Sequence, residues 1–306
     1  MTAYLSDIAV LAGDPVPLER VAGVTPELAQ RLSSDGLGTA RVFGEAPWRM
    51  AADCARSTLA ASTLVPDVVV YACEGRLDQK AQDLATDAAR FLAAAGLNET
   101  PVVGAGLNQC ANLGSLLLSA CALVGSDASR ACLLTTVGSA MPEERVVNGE
   151  IGVFSDAAGS ALVSARLVGS DGFEVLGIEH ATCAKLGVVA SLQDDQPAAS
   201  AFVERIGDAM LRLAERTGVK PDGFTHALAN NYATMATEVV LGLVGVPPHK
   251  AFRGTARDYA HCFAADGLLN LEHLRRTGAL RDGDTVLMLC TAANTWFLVA
   301  LRYQLV

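Results

Sequence analysis

The chain repeats itself, and that repetition restricts its folding more than any single motif. In the first part a helix-like segment, "WRMAADCARSTLAAS" (48–62), precedes the strand-like "DVVVYAC" (67–73). In the second, "AFVERIGDAMLRLAERTG" (201–218) precedes "FTHALAN" (224–230). A helical pattern follows each, "QDLATDAARFLAAAG" (82–96) and "ATMATEVVLGLVG" (233–245). Then "CANLGSLLLSACALVG" leads to "ACLLTTVGS" (131–139), and "HCFAADGLLNLEHLRRTG" leads to "DTVLMLCTAA" (284–293). Each part closes on apolar, strand-like stretches, "IGVFSDAAGSALVSARL" and "TWFLVALRYQ". Missing such a repeat would misread everything downstream. Strands alternating with helical patterns of this length predict an α/β protein of two duplicated halves, 1–167 and 168–306, with parallel sheets covered by helices.

The repeat places Cys110 and His261 in corresponding positions, each opening the helix after the second turn of its half. Asn230 falls at the carboxyl end of a strand, where ligand sites of parallel sheets gather. Two such helix starts facing each other would bring Cys110 and His261 into one cleft. The ordinary role of a cysteine in a globular protein is a small buried hydrophobe. Cys54, Cys121, Cys132 and Cys290 fit that role, lying inside apolar helix or strand patterns. Cys110 differs by position: unpaired N–H groups at a helix start favour thiolate. No charged residue occurs from Ala111 to Val124, so the helix it opens is predicted to be buried on all sides.

Other chemistries find no motif. "GAGLNQ" resembles a dinucleotide loop, but the third glycine position holds Gln109. The chain has no G-x-S-x-G, P-loop, C-x-x-C or H-E-x-x-H, so neither a cofactor nor a metal site is expected. Among the five histidines, His273 and His249 read as solvated surface and His226 as packed within a strand, whereas His180 ends a strand-like run and stays open. The 306 residues are 51% hydrophobic and 18% charged, ample for a large core. No apolar run is long enough for a membrane helix, and the amino terminus lacks the basic region of a signal peptide. Eight scattered cysteines suit a reducing cytoplasm. A net charge of −10 argues against nucleic acid, and an acidic carrier protein would need a local basic patch to dock.

The cysteine segment, "GVFSDAAGSALVSA" (152–165) and "RTGALRDGDTVLMLCTAANTW" (276–296) resemble the ketoacyl synthase III-like branch of the thiolase fold. The second resembles that family's "F-G-D-G-A-G-A" turn, with Ser155 and Ala157 in place of two glycines. The resemblance spans nearly the whole chain, though the first forty residues match poorly. It implies a five-layer α-β-α-β-α thiolase-like fold, a cysteine nucleophile, a homodimer, and an acyl thioester of coenzyme A or acyl carrier protein as donor.

Condensing members use Cys, then a His in "H-Q-A-N", then an Asn in "G-N-T-S". Here the histidine position falls on Asn230 and the asparagine position on His261, so the two have changed places. Asp266, five residues after His261, either orients the imidazole or favours the helix start. Decarboxylative condensation relies on His and Asn as donors to the enolate oxygen. Acyl transfer needs only a thiolate, an oxyanion hole and a base for the acceptor. The exchange therefore points to the non-condensing acyltransferases of this branch, some of which serve polyketide pathways. In that reading Cys110 is nucleophile, His261 base, Asp266 orienter, and Asn230 holds the thioester carbonyl. The acceptor is a small molecule or a carrier. A condensing enzyme and a non-catalytic partner subunit are the alternatives. The basic residues nearest the expected donor entrance are Lys250, Arg253 and Arg257, which equally suit a solvated loop.

Overall fold

The structure is a computed structural model that describes residues 2–75, 84–188 and 195–306. In chain order, the first part holds β1 (Ala3–Ala12), β2 (Asp14–Pro17), α1 (Pro26–Ser34), β3 (Thr39–Val42), α2 (Pro47–Ala61) and β4 (Val68–Gly75). It continues with α3 (Leu84–Ala95), β5 (Val102–Gly104), α4 (Asn112–Gly125), β6 (Ala131–Ser139) and β7 (Ala157–Ser164). The second part holds β8 (Asp171–Thr182), α5 (Gln196–Thr217), β9 (His226–Leu228), α6 (Thr234–Leu243) and α7 (Ala256–Tyr259). It closes with α8 (Asp266–Arg276), β10 (Thr285–Thr291) and β11 (Thr295–Leu305). The first two residues of the helix expected at 82–96 lie outside the described residues.

Nine strands form one sheet in the order β5-β4-β6-β7-β1-β8-β11-β10-β9. Read inward from its two edges, the order is β5, β4, β6, β7, β1 on one side and β9, β10, β11, β8 on the other. These are the same roles in the same succession. The missing counterpart of β5 is reduced to a single parallel bridge, Ala227 to Ala251.

The sheet is mixed, not parallel as the alternation of patterns suggested. Only β4–β5, β4–β6 and β9–β10 run parallel; the other described pairings are antiparallel. The reason is visible at β10 and β11. Three residues join them, and a crossover to a parallel neighbour needs a dozen or more.

Five layers follow from the packing. α2 and α3 cover one side of the first half-sheet through Met50, Phe91 and Tyr71, and α5 covers the second through Phe202, Ile206, Met210 and Leu213. α4 and α8 lie in the middle. Leu113, Leu116 and Leu117 of α4 and Leu268, Leu271 and Leu274 of α8 share one core with strands of both halves. The chargeless sequence predicted a helix buried on all sides, and here the structure differs: α4 buries the face that carries Leu113, Leu116 and Leu117, while Leu118 is 42% exposed and Ala122 is exposed. α5 carries a single apolar stripe. Asp195 caps its start by accepting from the Ala198 N–H at 3.0 Å, and Gly218 ends it in left-handed backbone at φ 73°.

The first forty residues, poorest in the resemblance, pack Leu18, Leu28, Leu32 and Leu37 against Val153, Ala233, Ala256 and Ala260. They thereby brace the loops on either side of His261. No helix among the described residues is long and apolar enough to cross a membrane.

Candidate active site

Cys110 sits in a 3₁₀ turn, Gln109–Ala111, that runs directly into α4. Gln109 opens the turn in left-handed backbone, φ 47°. The Asn112 side chain then accepts from the Asn108 N–H at 3.1 Å, closing the turn over Cys110. The Asn108 amide donates to Ser115 Oγ at 2.7 Å and pins the turn to the helix.

His261 is held differently. Its N–H donates to the Val153 carbonyl at 3.0 Å and its carbonyl accepts from Ser155 N–H at 2.8 Å, so it extends the "VFS" segment as one parallel bridge. That segment is fixed in turn by Asp156, which receives a buried two-pronged bond from Arg145 at 2.9 and 3.1 Å and N–H bonds from Phe43 and Ala140. The motif "GVFSDAAGS" thus acquires a physical task, which is to place the imidazole. The ring is fully buried among Tyr232, Phe154 and Phe263, with centroids 4.9, 5.2 and 6.0 Å away.

These two segments meet. His261 Nε2 stands 3.2 Å from Cys110 Sγ, and Nδ1 stands 2.5 Å from Asp266 Oδ2. Asp266 also accepts from the backbone N–H groups of Asn231 and Cys262, both at 2.8 Å. A carboxylate so held is an acceptor only, so the ring proton belongs on Nδ1 and Nε2 faces the thiol as a base. Of the two roles left open for Asp266, it fills both: it orients the imidazole, and it caps the turn that starts α8.

Two expectations need correction. Cys110 and His261 are not in corresponding positions. Phe263 opens the second turn with φ 55° as Gln109 opens the first, and Asp266 accepts from Cys262 as Asn112 accepts from Asn108. The structural mate of Cys110 is therefore Ala264, and His261 lies three residues earlier, opposite Leu107. The thiol is also not lowered by its helix start. Burial pushes it well above the ordinary thiol range, and the nearby charges of Glu74 and Asp266 push the same way. Enclosure in a site with two carboxyl groups outweighs the dipole of a helix that begins two residues later.

Asn230 lies at the end of β9 as expected, but it bonds neither Cys110 nor His261. Its Oδ1 accepts from Thr291 N–H and Oγ1 at 2.9 and 2.8 Å, and Nδ2 donates to the Phe263 carbonyl at 3.5 Å. It lines a cavity of about 230 Å3 with Gly36, Tyr232, Thr237, Arg253 and Arg257. Arg253 is paired with Glu238 at 2.7 Å, and Lys250 is not among the lining residues. His180 is exposed on β8 beside Phe297, and no hydrogen bond joins its ring to the site.

Sequence reasoning missed three members of this site. Glu74, at the end of β4, bonds Asn112. Asn231 and Asn270 form a buried network with Thr255 that fixes the backbone beside Asp266. The doubled asparagine in "ALANNYA" was the signal available for Asn231; Asn270, inside the pattern of α8, had none. Among the described residues no group of three His, Cys, Asp or Glu side chains is placed to hold a metal ion.

Residues 213–303 match the model of the 3-oxoacyl-[acyl-carrier-protein (ACP)] synthase III C terminal. No curated protein sequence matches the chain. Among solved structures the chain is similar to ChlB3, described as an acyltransferase, at 16% identity and TM-score 0.85, covering 100% of this chain and 98% of that one. It is similar to 3-oxoacyl-(acyl carrier protein) synthase III, FabH, from Pseudomonas aeruginosa PAO1, at 20% identity and TM-score 0.78, with 99% of each chain covered. The priming β-ketosynthase of the R1128 polyketide pathway follows at 18% and 0.73, covering 98% and 96%. Identities this low speak for the fold: a thiolase-like, synthase III-like α/β architecture.

Proposed function

We propose that this protein is an acyltransferase that carries its acyl group on Cys110. The observation that bears the reading is the chain of contacts Cys110 Sγ, His261 Nε2, His261 Nδ1 and Asp266 Oδ2, at 3.2 and 2.5 Å. It provides a nucleophile, a base and an orienter in one line. His261 takes the thiol proton as sulfur attacks the thioester carbonyl of the donor. The donor's C–S bond breaks, and its thiol leaves with the proton returned by His261. An acceptor hydroxyl, amine or thiol then gives its proton to His261, attacks the acyl carbon and frees Cys110. The raised thiol fits this order, because the thiolate is made during attack and not stored beforehand.

Asn230 suits the donor side. Thr291 anchors its oxygen, which leaves Nδ2, now on the Phe263 carbonyl at 3.5 Å, as the donor that a thioester carbonyl would take up. The donor is an acyl thioester of coenzyme A or a carrier protein, entering past Arg253 and Arg257. The acyl-transfer role of ChlB3, a structural neighbour, supports the same reading.

The test is incubation with a panel of acyl thioesters followed by intact-protein mass measurement. An adduct on Cys110, absent from Cys110→Ala, is expected. Transfer that survives Cys110→Ala sinks the proposal. The match to the synthase III model favours a second reading, decarboxylative condensation. Carbon dioxide released from a malonyl thioester, with a ketoacyl product, would establish it instead.

The working unit is proposed to be a homodimer. β5 forms an edge of the sheet with Val102 and Val103 exposed, an unpaired strand that a second copy would complete. Sedimentation should give a dimer for the native protein and a monomer for Val103→Lys.

A further inference from the structure

Glu74 is a buried carboxyl beside the site that the transfer mechanism leaves unused. It stands at the carboxyl end of β4 and is 6% exposed. It accepts from Asn112 Nδ2 at 3.1 Å, and the nearby Ala264 backbone N–H favours its charge. Asn112 belongs to the turn of Cys110, and Ala264 to the turn that leads into Asp266. One side chain therefore bridges the two helix starts whose approach makes the site. Its second oxygen, Oε2, is buried without a hydrogen-bond partner.

We propose that Glu74 is a positioning residue of the acyl-transfer site, which clasps the Cys110 turn to the Asp266 turn and whose own charge decides how readily Cys110 ionises. The inference rests on the acyl-transfer reading of Cys110. The geometry of the clasp comes first. Ala111 and Ala264 share the central core, and the clasp adds to that packing a polar hold on the turn that sets the distance from sulfur to imidazole.

The charge argument follows from what surrounds the carboxyl. Among the described residues, the titratable groups that act on it or feel it are Asp266 from α8, Cys110 from the turn before α4, Cys290 from β10 and Cys73 on its own strand. His261 stands between Cys110 and Asp266. Burial pushes Glu74 up to about 8. At neutral pH it is therefore a neutral acid beside the thiol. Above that value Glu74 becomes an anion in the same enclosure, and Cys110 ionises less readily.

The experiment compares wild type, Glu74→Gln and Glu74→Ala by the rate of Cys110 alkylation, read by peptide mass, from about pH 7 to pH 10. Glutamine keeps the acceptor for Asn112 but cannot ionise. Wild type and Glu74→Gln should react alike, within about twofold, near pH 7. Near pH 9.5 the glutamine variant should be roughly tenfold faster, the equivalent of one pKa unit. In single-turnover acylation Glu74→Ala should lose roughly 10–100-fold in rate at unchanged KM, and Glu74→Gln should recover most of it.

Identical pH profiles for wild type and Glu74→Gln, or wild-type acylation by Glu74→Ala, would overturn the proposal. If Glu74→Ala does not fold, the first comparison decides by itself. Alkylation needs no acyl donor. A panel of thioesters that leaves Cys110 unmodified thus refutes acyl transfer, while the alkylation profile still judges Glu74.

Discussion

The two central helices begin in the same way and do different work. Each starts with a non-glycine residue in left-handed backbone, Gln109 or Phe263, followed by a short 3₁₀ turn. Each turn is closed by the first residue of its helix, which accepts the N–H four residues back. In the first the closing residue is Asn112 and the turn carries a thiol. In the second it is Asp266, and the place of the thiol is taken by Ala264. The backbone is duplicated, and the chemistry has been divided between the copies by changing an amide to a carboxylate and a thiol to a methyl. An alanine at position 264 leaves room for the opposite turn, and its N–H for Glu74.

The comparison predicts which substitutions the backbone tolerates while the reaction does not. The largest expected effect is at Asp266. Asp266→Asn makes the second turn a copy of the first: the amide oxygen can still accept from Cys262, but its NH2 then faces the Asn231 N–H, so a loss of about 1–3 kcal/mol in stability should accompany the chemical effect. The imidazole loses the carboxylate that fixes its tautomer. Transfer should fall by roughly 10³–10⁴-fold, measured as turnover with an active thioester. A loss under tenfold would mean that His261 does not depend on Asp266 and that the likeness of the two turns is only structural.

The reverse change sharpens the same point. Asn112→Asp keeps the acceptor for Asn108 but removes the Nδ2 donor to Glu74 and sets two carboxyl groups together in a buried site. The cost should be about 1–3 kcal/mol in denaturant unfolding, with most of it recovered in the double variant Asn112→Asp, Glu74→Gln. Simple additivity of the two changes would show that Asn112 and Glu74 do not act as a pair.

Glu74 also gives the comparison a dependence on pH. Its folded value, near 8, is raised above the ordinary 4.5 of an unfolded chain. Between those values the folded protein holds a proton that the unfolded chain has released. The stability due to this group is complete below about 4.5 and is lost as pH rises through about 8. The wild-type melting temperature should therefore fall more from pH 5 to pH 8 than that of Glu74→Gln. Equal slopes would place Glu74 in contact with water.

Much of this was legible in the sequence, and the parts that were not have physical reasons. The repeat was written in alternating patterns 48–139 and 201–293, and the sheet carries it as a mirrored strand order that the patterns did not specify. Cys110 and His261 stood out by their places in the repeat, and Asp266 by its spacing of five residues from His261. The three-residue offset between Cys110 and His261 did not show. Left-handed backbone is announced by glycine or asparagine, and here it is taken by Gln109 and Phe263. Glu74 was hidden for a similar reason: an acid that ends a strand just before a glycine reads as a solvated turn. Its burial depends on two helix starts distant in sequence. Strand direction was misjudged because periodicity identifies a strand and says nothing about its neighbour.

A smaller effect concerns the room these turns require. Phe263 lies across Gly138, where an added Cβ would come within 2.4–2.6 Å of its side chain. Gly138→Ala must therefore push Phe263, and with it the second turn, away from the sheet. A loss of about 1–3 kcal/mol is expected, together with slower acylation as His261 retreats from Cys110. The first turn has no such constraint at Gln109, whose counterpart is Phe263.

The smallest effect is at Gln109 itself, where two opposing contributions nearly balance. Left-handed backbone costs a residue with a Cβ about 1–2 kcal/mol, and Gln109→Gly removes that cost. Glycine also frees the unfolded chain, which lowers stability by roughly 0.4–1 kcal/mol. The net gain should lie between zero and about 1.6 kcal/mol, a rise of no more than a few degrees in melting temperature. Acylation tells more than stability here. If the strain at Gln109 serves only to reach the turn, Gln109→Gly should acylate at the wild-type rate, since Asn112 and Asn108 still close the turn over the thiol. A stable variant with slowed acylation would mean that the Gln109 side chain helps to hold Cys110 toward His261, a task that Phe263 has no thiol to perform.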